Sequence, residues 1–242
     1  MNRKFLKIIG LLIIGLFLIS ACGLRTIKGS GDVITQSREV IGFDSVSLSG
    51  IGRAIITQGD KESLTIEADD NLFEYITSEV KSGTLELGFT ENVRFDPTPS
   101  ITFTVGVKDL TELDSSGIGS IEIDELAADN LKISISGTGS VSIDTLTATD
   151  LVVTAEGTGD IALAGTVEKQ ELELKGTGDY EAPDLESSTA TVRIDGTSKA
   201  QLWVIDSLDV VINGAGEVSY YGSPNVTESI TGTSSLTSLG DK

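Results

Sequence analysis

The chain has 242 residues and a formal net charge of −20, with a single cysteine and no histidine. A surface this acidic repels the phosphates of nucleic acids, which excludes nucleic-acid binding. Without histidine the chain lacks the commonest general base and metal ligand, and one cysteine cannot form a disulfide within the chain. We therefore predict no catalytic residues, no metal site and no cofactor, and a fold that depends on its hydrophobic core.

Residues 1–21 have the pattern of a secretory signal peptide. A basic region precedes an uncharged run, residues 8–22, which is shorter than the roughly 20 residues of a membrane-spanning helix. The run ends in Ile-Ser-Ala-Cys at residues 19–22, and this segment resembles a bacterial lipobox. The resemblance implies cleavage between Ala21 and Cys22 and attachment of fatty acyl groups, palmitate among them, at Cys22. An uncleaved N-terminal anchor and cleavage without lipid are the alternatives.

Cleavage would remove three of the 17 basic residues and no acidic residue, so the formal net charge would become −23. We predict an extracytoplasmic protein whose membrane partner is reached through the lipid on Cys22. The membrane would be the outer membrane of an organism that has one, and otherwise the outer face of the plasma membrane. Residues 22–37 contain Gly and Ser with little periodicity and are interpreted as a tether.

The next segment, residues 38–116, is strand-rich but less regular than the rest of the chain. It contains one glycine motif, Gly50-Ile-Gly52, with apolar residues alternating on both sides. We interpret it as an N-terminal β layer together with the first rung of the repeat described next. The layer would cover the first rung, because an exposed rung is an open sheet edge that promotes aggregation.

Glycine motifs repeat through residues 117–233 at intervals of 18 to 20 residues. Their first positions are Gly117, Gly137, Gly157, Gly176, Gly196, Gly214 and Gly232. Apolar residues stand four and six positions after each of the earlier glycines, with polar residues between them, and this period of two indicates strands with one buried face. Two such strands per unit and no helical pattern predict an all-β fold, a parallel β-solenoid with rungs of about 20 residues. The glycines are interpreted as turns that need positive φ or close backbone approach. Residues 234–242 are predicted to be a polar tail.

Four segments resemble the bacterial family known as putative auto-transporter adhesin, head GIN domain. They are VSLSGIG at 46–52, LTIEAD at 64–69, GTLEL at 83–87 and LTELDSSGIG at 110–119. The resemblance covers about residues 38–222. It implies an exported or lipid-anchored β-solenoid of the cell envelope that binds a surface, and it supplies no catalytic or ligand-binding residues.

One position of the repeat, seven residues after the first glycine, carries candidate functional side chains. Its members are Asp124, Asp144, Ala164, Pro183, Trp203 and Tyr221. Trp203 and Tyr221 alternate with inward-facing residues, so we predict that both point outward on adjacent rungs. Such a pair could be an aromatic platform for a glycan or for an envelope or surface protein. Alternatively, the C-terminal tail covers the pair, or the two rings only stack on each other.

Three functions remain after these exclusions. We favour a non-enzymatic binding or adhesin-like module, with a structural or self-assembling envelope scaffold as the second hypothesis. A carbohydrate-active enzyme of the β-helix type is the third, because Asp124 and Asp144 would be neighbours. Asp160 and Asp179 follow two glycine motifs and resemble calcium-binding turns, although only these two motifs carry the aspartate.

Overall fold

The computed structural model describes residues 25–95 and 100–242. The predicted signal peptide, the cleavage site at Ala21 and the lipidation site Cys22 lie outside the described residues. The fold is a parallel β-solenoid of about six turns, which confirms the predicted fold class.

The N-terminal part of the chain consists of ten short strands and one helical turn. In chain order they are β1 (Arg25–Ile27), β2 (Val33–Arg38), β3 (Ser45–Leu48), β4 (Ile51–Gln58), β5 (Ser63–Asp69), a 3-10 helix (Asp70–Leu72), β6 (Ile76–Lys81), β7 (Thr84–Phe89), β8 (Val93–Phe95), β9 (Thr102–Val107) and β10 (Glu112–Ser115). β3 and β4 form the predicted first rung, because they pair in parallel with β10 and with the first long strand, β11 (Ile118–Ile135).

The rest of the solenoid consists of long bent strands, each of which makes most of one rung. They are β11, β12 (Ser140–Ala155), β13 (Ile161–Leu174), β14 (Tyr180–Ile194) and β15 (Lys199–Gly214), followed by the shorter β16 (Glu217–Tyr221), β17 (Asn225–Gly232) and β18 (Ser235–Ser238). The register confirms the repeat, since Ile121 pairs with Val141 and Val141 with Ile161. Residues four positions after each glycine are buried and form one row of the core: Ile121, Val141, Ile161, Tyr180, Ala200 and Val218.

Close backbone approach explains the glycines at the main turn. A Cβ atom on Gly137 would lie 2.1 Å from the carbonyl oxygen of Gly117. The next residue, Thr138, donates its backbone N–H to that same oxygen at 2.8 Å. The rungs are therefore in backbone contact at this corner, and only glycine leaves the space that the contact requires.

Antiparallel strands close the N-terminal end of the solenoid. β7 and β9 pair in parallel with β3 and β4, and they are followed by β6 and β5, which run antiparallel to them. β2 then pairs antiparallel with β5. This arrangement protects the first rung, as the sequence predicted, because the polar backbone groups on its open side are hydrogen-bonded.

Two segments outside the predicted solenoid also form strands. β1 and most of β2 lie within the predicted tether, residues 22–37, and β2 ends one residue beyond it, at Arg38. β18 lies within the predicted polar tail, residues 234–242. β2 is almost entirely exposed, and it is a strand because its backbone pairs with the edge of β5 rather than because it buries apolar side chains. β18 likewise continues the ladder by pairing with β16.

Candidate functional site

Trp203 and Tyr221 lie side by side on neighbouring rungs. They are direct partners in the parallel pairing of β15 with β16. Trp203 stands between the buried residues Leu202 and Val204, and its own side chain is half-buried, as is that of Tyr221. The structure thus brings together the two aromatic residues that the sequence singled out, on the outer face of the solenoid.

The side chain of Lys242 lies across this aromatic pair. Its Nζ atom is 5.1 Å from the ring centroid of Trp203 and 5.4 Å from that of Tyr221. The same ammonium group donates a hydrogen bond to the carbonyl oxygen of Pro183 at 2.5 Å and forms an ion pair with Asp184. The C-terminal tail, one of the predicted alternatives, therefore covers the aromatic pair with one side chain, that of Lys242. Sequence analysis missed Lys242, because no periodicity connects it to the repeat.

The predicted position of Pro183 in the register is wrong. Trp203 pairs with Glu186, and the register of β14 against β15 shifts between Glu181 and Glu186. A proline has no N–H to give to the ladder and is accommodated at such irregularities. The prediction that equal spacing after the glycine gives equivalent positions is therefore wrong at this rung, and Asp184, rather than Pro183, is the partner of Ala164. The irregular segment brings the Pro183 carbonyl and the Asp184 carboxylate to Lys242.

A buried hydrogen-bond network holds the backbone of Trp203. Tyr180 donates its hydroxyl proton to Gln170 Oε1 at 2.9 Å, and Gln170 Nε2 donates to Ser187 Oγ at 2.6 Å. Ser187 in turn donates to the carbonyl oxygen of Trp203 at 3.0 Å. Burial raises the pKa of the Tyr180 hydroxyl, which therefore keeps the proton that it donates. Polar groups this deeply buried are stable only when they are paired, so the network fixes the position of the rung that carries Trp203.

An acidic groove of about 460 Å³ adjoins the lysine contact. Its polar lining includes Asp144, Glu181, Asp184 and Gln201, together with Pro183. No lysine or arginine is among its lining residues. The groove shares Pro183 and Asp184 with the contacts of Lys242, so this lysine connects the aromatic pair to the acidic groove.

The other predicted carboxylates are explained by the fold. The Asp160 carboxylate accepts a hydrogen bond from the backbone N–H of Asp179 at 3.0 Å. The Asp179 carboxylate accepts one from the backbone N–H of Lys199 at 3.2 Å. Both therefore connect successive rungs. In the described part of the chain, no group of three or more His, Cys, Asp or Glu side chains is placed to hold a metal ion.

Asp124 and Asp144 are equivalent positions on adjacent rungs, since the residues on both sides of them pair. They nevertheless line different grooves. Asp124 faces the groove of Gln58 and Lys108, whereas Asp144 lines the acidic groove described above. The two grooves have no lining residue in common, so each carboxylate faces a different surface depression.

Comparisons with known proteins identify the type of domain. The sequence profile of a family described as "Putative auto-transporter adhesin, head GIN domain" matches residues 42–224. A comparison with curated protein sequences found no match. Within residues 25–95 and 100–242 we find no helix with the length and hydrophobicity that crossing a bilayer requires.

Solved structures from Bacteroides and Parabacteroides share the fold. A putative adhesin from Bacteroides fragilis NCTC 9343 is 28% identical, with a TM-score of 0.78 over 89% of this chain and 97% of that one. A putative lipid binding protein from Parabacteroides distasonis ATCC 8503 is 24% identical, with a TM-score of 0.72 over 89% and 100%. A putative adhesin from Parabacteroides merdae ATCC 43184 is 20% identical, with a TM-score of 0.69 over 88% and 99%. The last two likenesses support the fold alone.

Proposed function

We propose that this chain, which belongs to the putative auto-transporter adhesin, head GIN domain family, is a non-enzymatic binding module displayed outside the cytoplasmic membrane by a lipid on Cys22. The observation that carries the binding role is the pair of outward-facing aromatic rings at Trp203 and Tyr221 beside an acidic groove. Aromatic residues that are partly exposed and rigidly held are frequent anchors in recognition surfaces. The buried network behind Trp203 supplies that rigidity.

The N-terminal end of the domain is suited to lie close to a membrane. β1 begins three residues after Cys22 and pairs with β8, and a segment of three residues spans at most about 10 Å. A groove of about 650 Å³ adjoins β8, and Phe89, Phe95 and Ile118 line it. Ile118 is 71% exposed. A lipid on Cys22 would therefore hold this apolar end at the bilayer and direct the Trp203 surface, at the other end of the solenoid, away from it.

Lipid attachment predicts that Cys22→Ser carries no lipid. When cells are grown with an alkyne analogue of palmitate, we expect label on the wild-type chain and none on the variant, because serine has no thiol to carry the lipid. Cys22→Ser/Thr35→Cys is the matched control, since it has one cysteine at an exposed site and should remain unlabelled. An unlabelled wild-type chain would refute the lipid anchor.

The binding role predicts a hit on an array of glycans, peptidoglycan fragments and envelope or matrix proteins. Trp203→Ser/Tyr221→Ser should lose that hit by at least about tenfold, because aromatic anchors contribute a large share of binding energy. Val152→Ser/Val226→Ser, which removes two other exposed apolar side chains, should keep it. Equal binding by both double variants would place the site elsewhere. No hit for a folded wild-type chain would favour the scaffold hypothesis.

A structural scaffold is the second candidate, and the C-terminal end of the solenoid favours it. Among residues 25–95 and 100–242, β17 pairs only with β15, and β18 only with β16, so each has one side on which no described strand lies. Unpaired strand edges are templates for another chain. End-to-end assembly would appear in light scattering as oligomers whose mass increases with protein concentration, and a constant monomer mass would exclude it. The carbohydrate-active enzyme is the weakest of the three candidates, because Asp124 and Asp144 do not share a cleft.

A further inference from the structure

We propose that Trp203, Tyr221, Asp184 and the Pro183 carbonyl form an ammonium site that receives a lysine side chain of a partner protein. In this structure the chain's own Lys242 occupies the site and acts as an intramolecular competitor. The inference deepens the proposed function, on which it rests, because it assigns the chemical class of the ligand. Of the two predicted ligand classes, a glycan and an envelope or surface protein, it selects the protein and assigns a primary alkylammonium group as the ligand.

The contacts around Lys242 Nζ carry the inference. Two aromatic rings, one carboxylate and one carbonyl oxygen meet at a single nitrogen atom. A cation within about 6 Å of a ring centroid is attracted by the negative face of the ring. A carboxylate and a carbonyl accept hydrogen bonds from an ammonium group, which has three protons to donate. The Lys242 side chain is only 30% exposed, so the surrounding residues enclose most of it.

The composition of the site selects among ligands. A quaternary ammonium group has no N–H and would leave the Pro183 carbonyl unpaired, although it would satisfy the two rings. A neutral sugar would stack on the rings but would not compensate the charge of Asp184. A guanidinium group prefers both oxygens of a carboxylate for its fork of donors, whereas the cation in this structure pairs with Asp184 Oδ1 and with the Pro183 carbonyl oxygen, which a single ammonium group can reach together. A primary ammonium group satisfies all four components.

The surroundings favour a partner protein with a basic surface. The adjoining groove presents Asp144, Glu181 and Asp184, and the chain as a whole carries a formal charge of −20. A partner lysine that enters the ammonium site would place its neighbouring residues along this groove. Complementary charge accelerates such an encounter and excludes acidic partners. A free amine would use the rings and Asp184 but not the groove.

We expect that a ligand lysine can displace Lys242 from the ammonium site. The residues that precede it, Leu239 to Asp241, lie outside β18 and are attached by four hydrogen bonds, to Tyr220, Gly222, Ser223 and Ser238. Asp184 is 70% exposed, so water can replace the ion pair when the tail leaves. A tethered competitor acts at an effective concentration in the millimolar range. Lys242 would therefore reject weak amines, while a lysine supported by the whole groove would displace it.

The test uses the chain's only tryptophan, Trp203, whose fluorescence reports the site directly. The detergent-solubilised full chain is titrated with Nα-acetyl-lysine methylamide. We expect Lys242→Ser to bind this probe about tenfold more tightly than the wild type, because the competitor is gone. The matched charge control is Lys61→Ser, at an exposed site away from the rings, and it should behave as the wild type. The Nε-acetylated probe, which has no charge, should not bind, and Lys242→Ser/Asp184→Asn should bind the lysine probe about tenfold more weakly than Lys242→Ser.

Three results would overturn the inference. Equal affinity of the wild type and Lys242→Ser would show that Lys242 does not compete. Equal binding of the Nε-acetylated probe would show a nonspecific apolar contact, and choline binding to Lys242→Ser as tightly as the lysine probe would show a site for quaternary cations. The array separates this test from that of the proposed function. A hit lost in Trp203→Ser/Tyr221→Ser but unaffected by the lysine probe leaves the binding module standing and removes the lysine ligand.

Discussion

Gly157→Ala should lower the free energy of unfolding by about 3 kcal/mol. A Cβ atom at this position would lie 1.9 Å from the carbonyl oxygen of Gly137 on the preceding rung. That oxygen also accepts the backbone N–H of Thr158 at 3.0 Å, so the two rungs cannot separate without losing a ladder hydrogen bond. Overpacking a rigid contact costs about 1–3 kcal/mol, and the lost hydrogen bond about 1 kcal/mol more. Denaturation in urea measures the change.

Gly59→Ala is the matched control for this effect. No atom lies within 4 Å of a Cβ built on Gly59, and its φ is outside the left-handed region. The same substitution should therefore leave stability unchanged or raise it by about 0.5 kcal/mol, since alanine restricts the unfolded chain. If Gly157→Ala were as stable as Gly59→Ala, the glycine row would not be needed for close approach of the rungs, and the turn would require another explanation.

The solenoid could be predicted because burial and spacing repeat together. Residues such as Leu131 and Ile133 alternate with polar neighbours, and both are almost completely buried in the structure. Each rung buries its apolar row only against the next one, so selection for a core places the same pattern in every unit. The glycine positions follow from the same stacking. This part of the fold follows from local sequence, and the residues four positions after each glycine pair from rung to rung as predicted, from Ile121 to Val218.

The remaining features depend on backbone pairing or on single contacts, which have no period. β2 is exposed and holds its place by hydrogen bonds to β5, so its side chains give no signal of a strand. The irregularity around Pro183 shifts the register by a number of residues that spacing alone does not specify. Lys242 contacts Trp203 from a polar segment and follows it by 39 positions in the sequence. The aromatic pair could be predicted, whereas the cation above it could not.

The irregular rungs are also those that carry the candidate site. β14 departs from the regular register next to Pro183 and Asp184, and the core beneath this rung contains the polar residues Gln170 and Ser187 instead of apolar ones. A regular rung presents a flat ladder to solvent. The departure in β14 creates a carbonyl and a carboxylate that project beside two rings. We infer that the polar network compensates inside the core for the irregularity that the outer surface needs.

Gln170→Leu tests this network and should lower the free energy of unfolding by about 3 kcal/mol, because it leaves two buried hydroxyls short of a partner. Tyr180 loses its acceptor, and Ser187 loses the donor at 2.6 Å. Urea denaturation measures the loss, and the fluorescence of Trp203 should shift with it, since Ser187 holds the Trp203 carbonyl. The exposed substitution Gln36→Leu is the control and should change stability by less than about 0.5 kcal/mol.

The double variant Gln170→Leu/Tyr180→Phe tests whether the loss of stability in Gln170→Leu comes from the lost hydrogen bonds or from altered packing. Tyr180→Phe alone should lower the free energy of unfolding by about 1–2 kcal/mol, because it leaves the side-chain amide oxygen of Gln170 without the hydrogen bond from Tyr180. Combined with Gln170→Leu, it should instead recover about 1–2 kcal/mol, since phenylalanine has no hydroxyl to satisfy and the two residues would then form an apolar contact. Strict additivity of the two single losses would mean that the residues do not interact. A recovery would show that Tyr180 in β14 and Gln170 in β13 stabilise the fold through the hydrogen bond between them, and that either side chain is costly without the other.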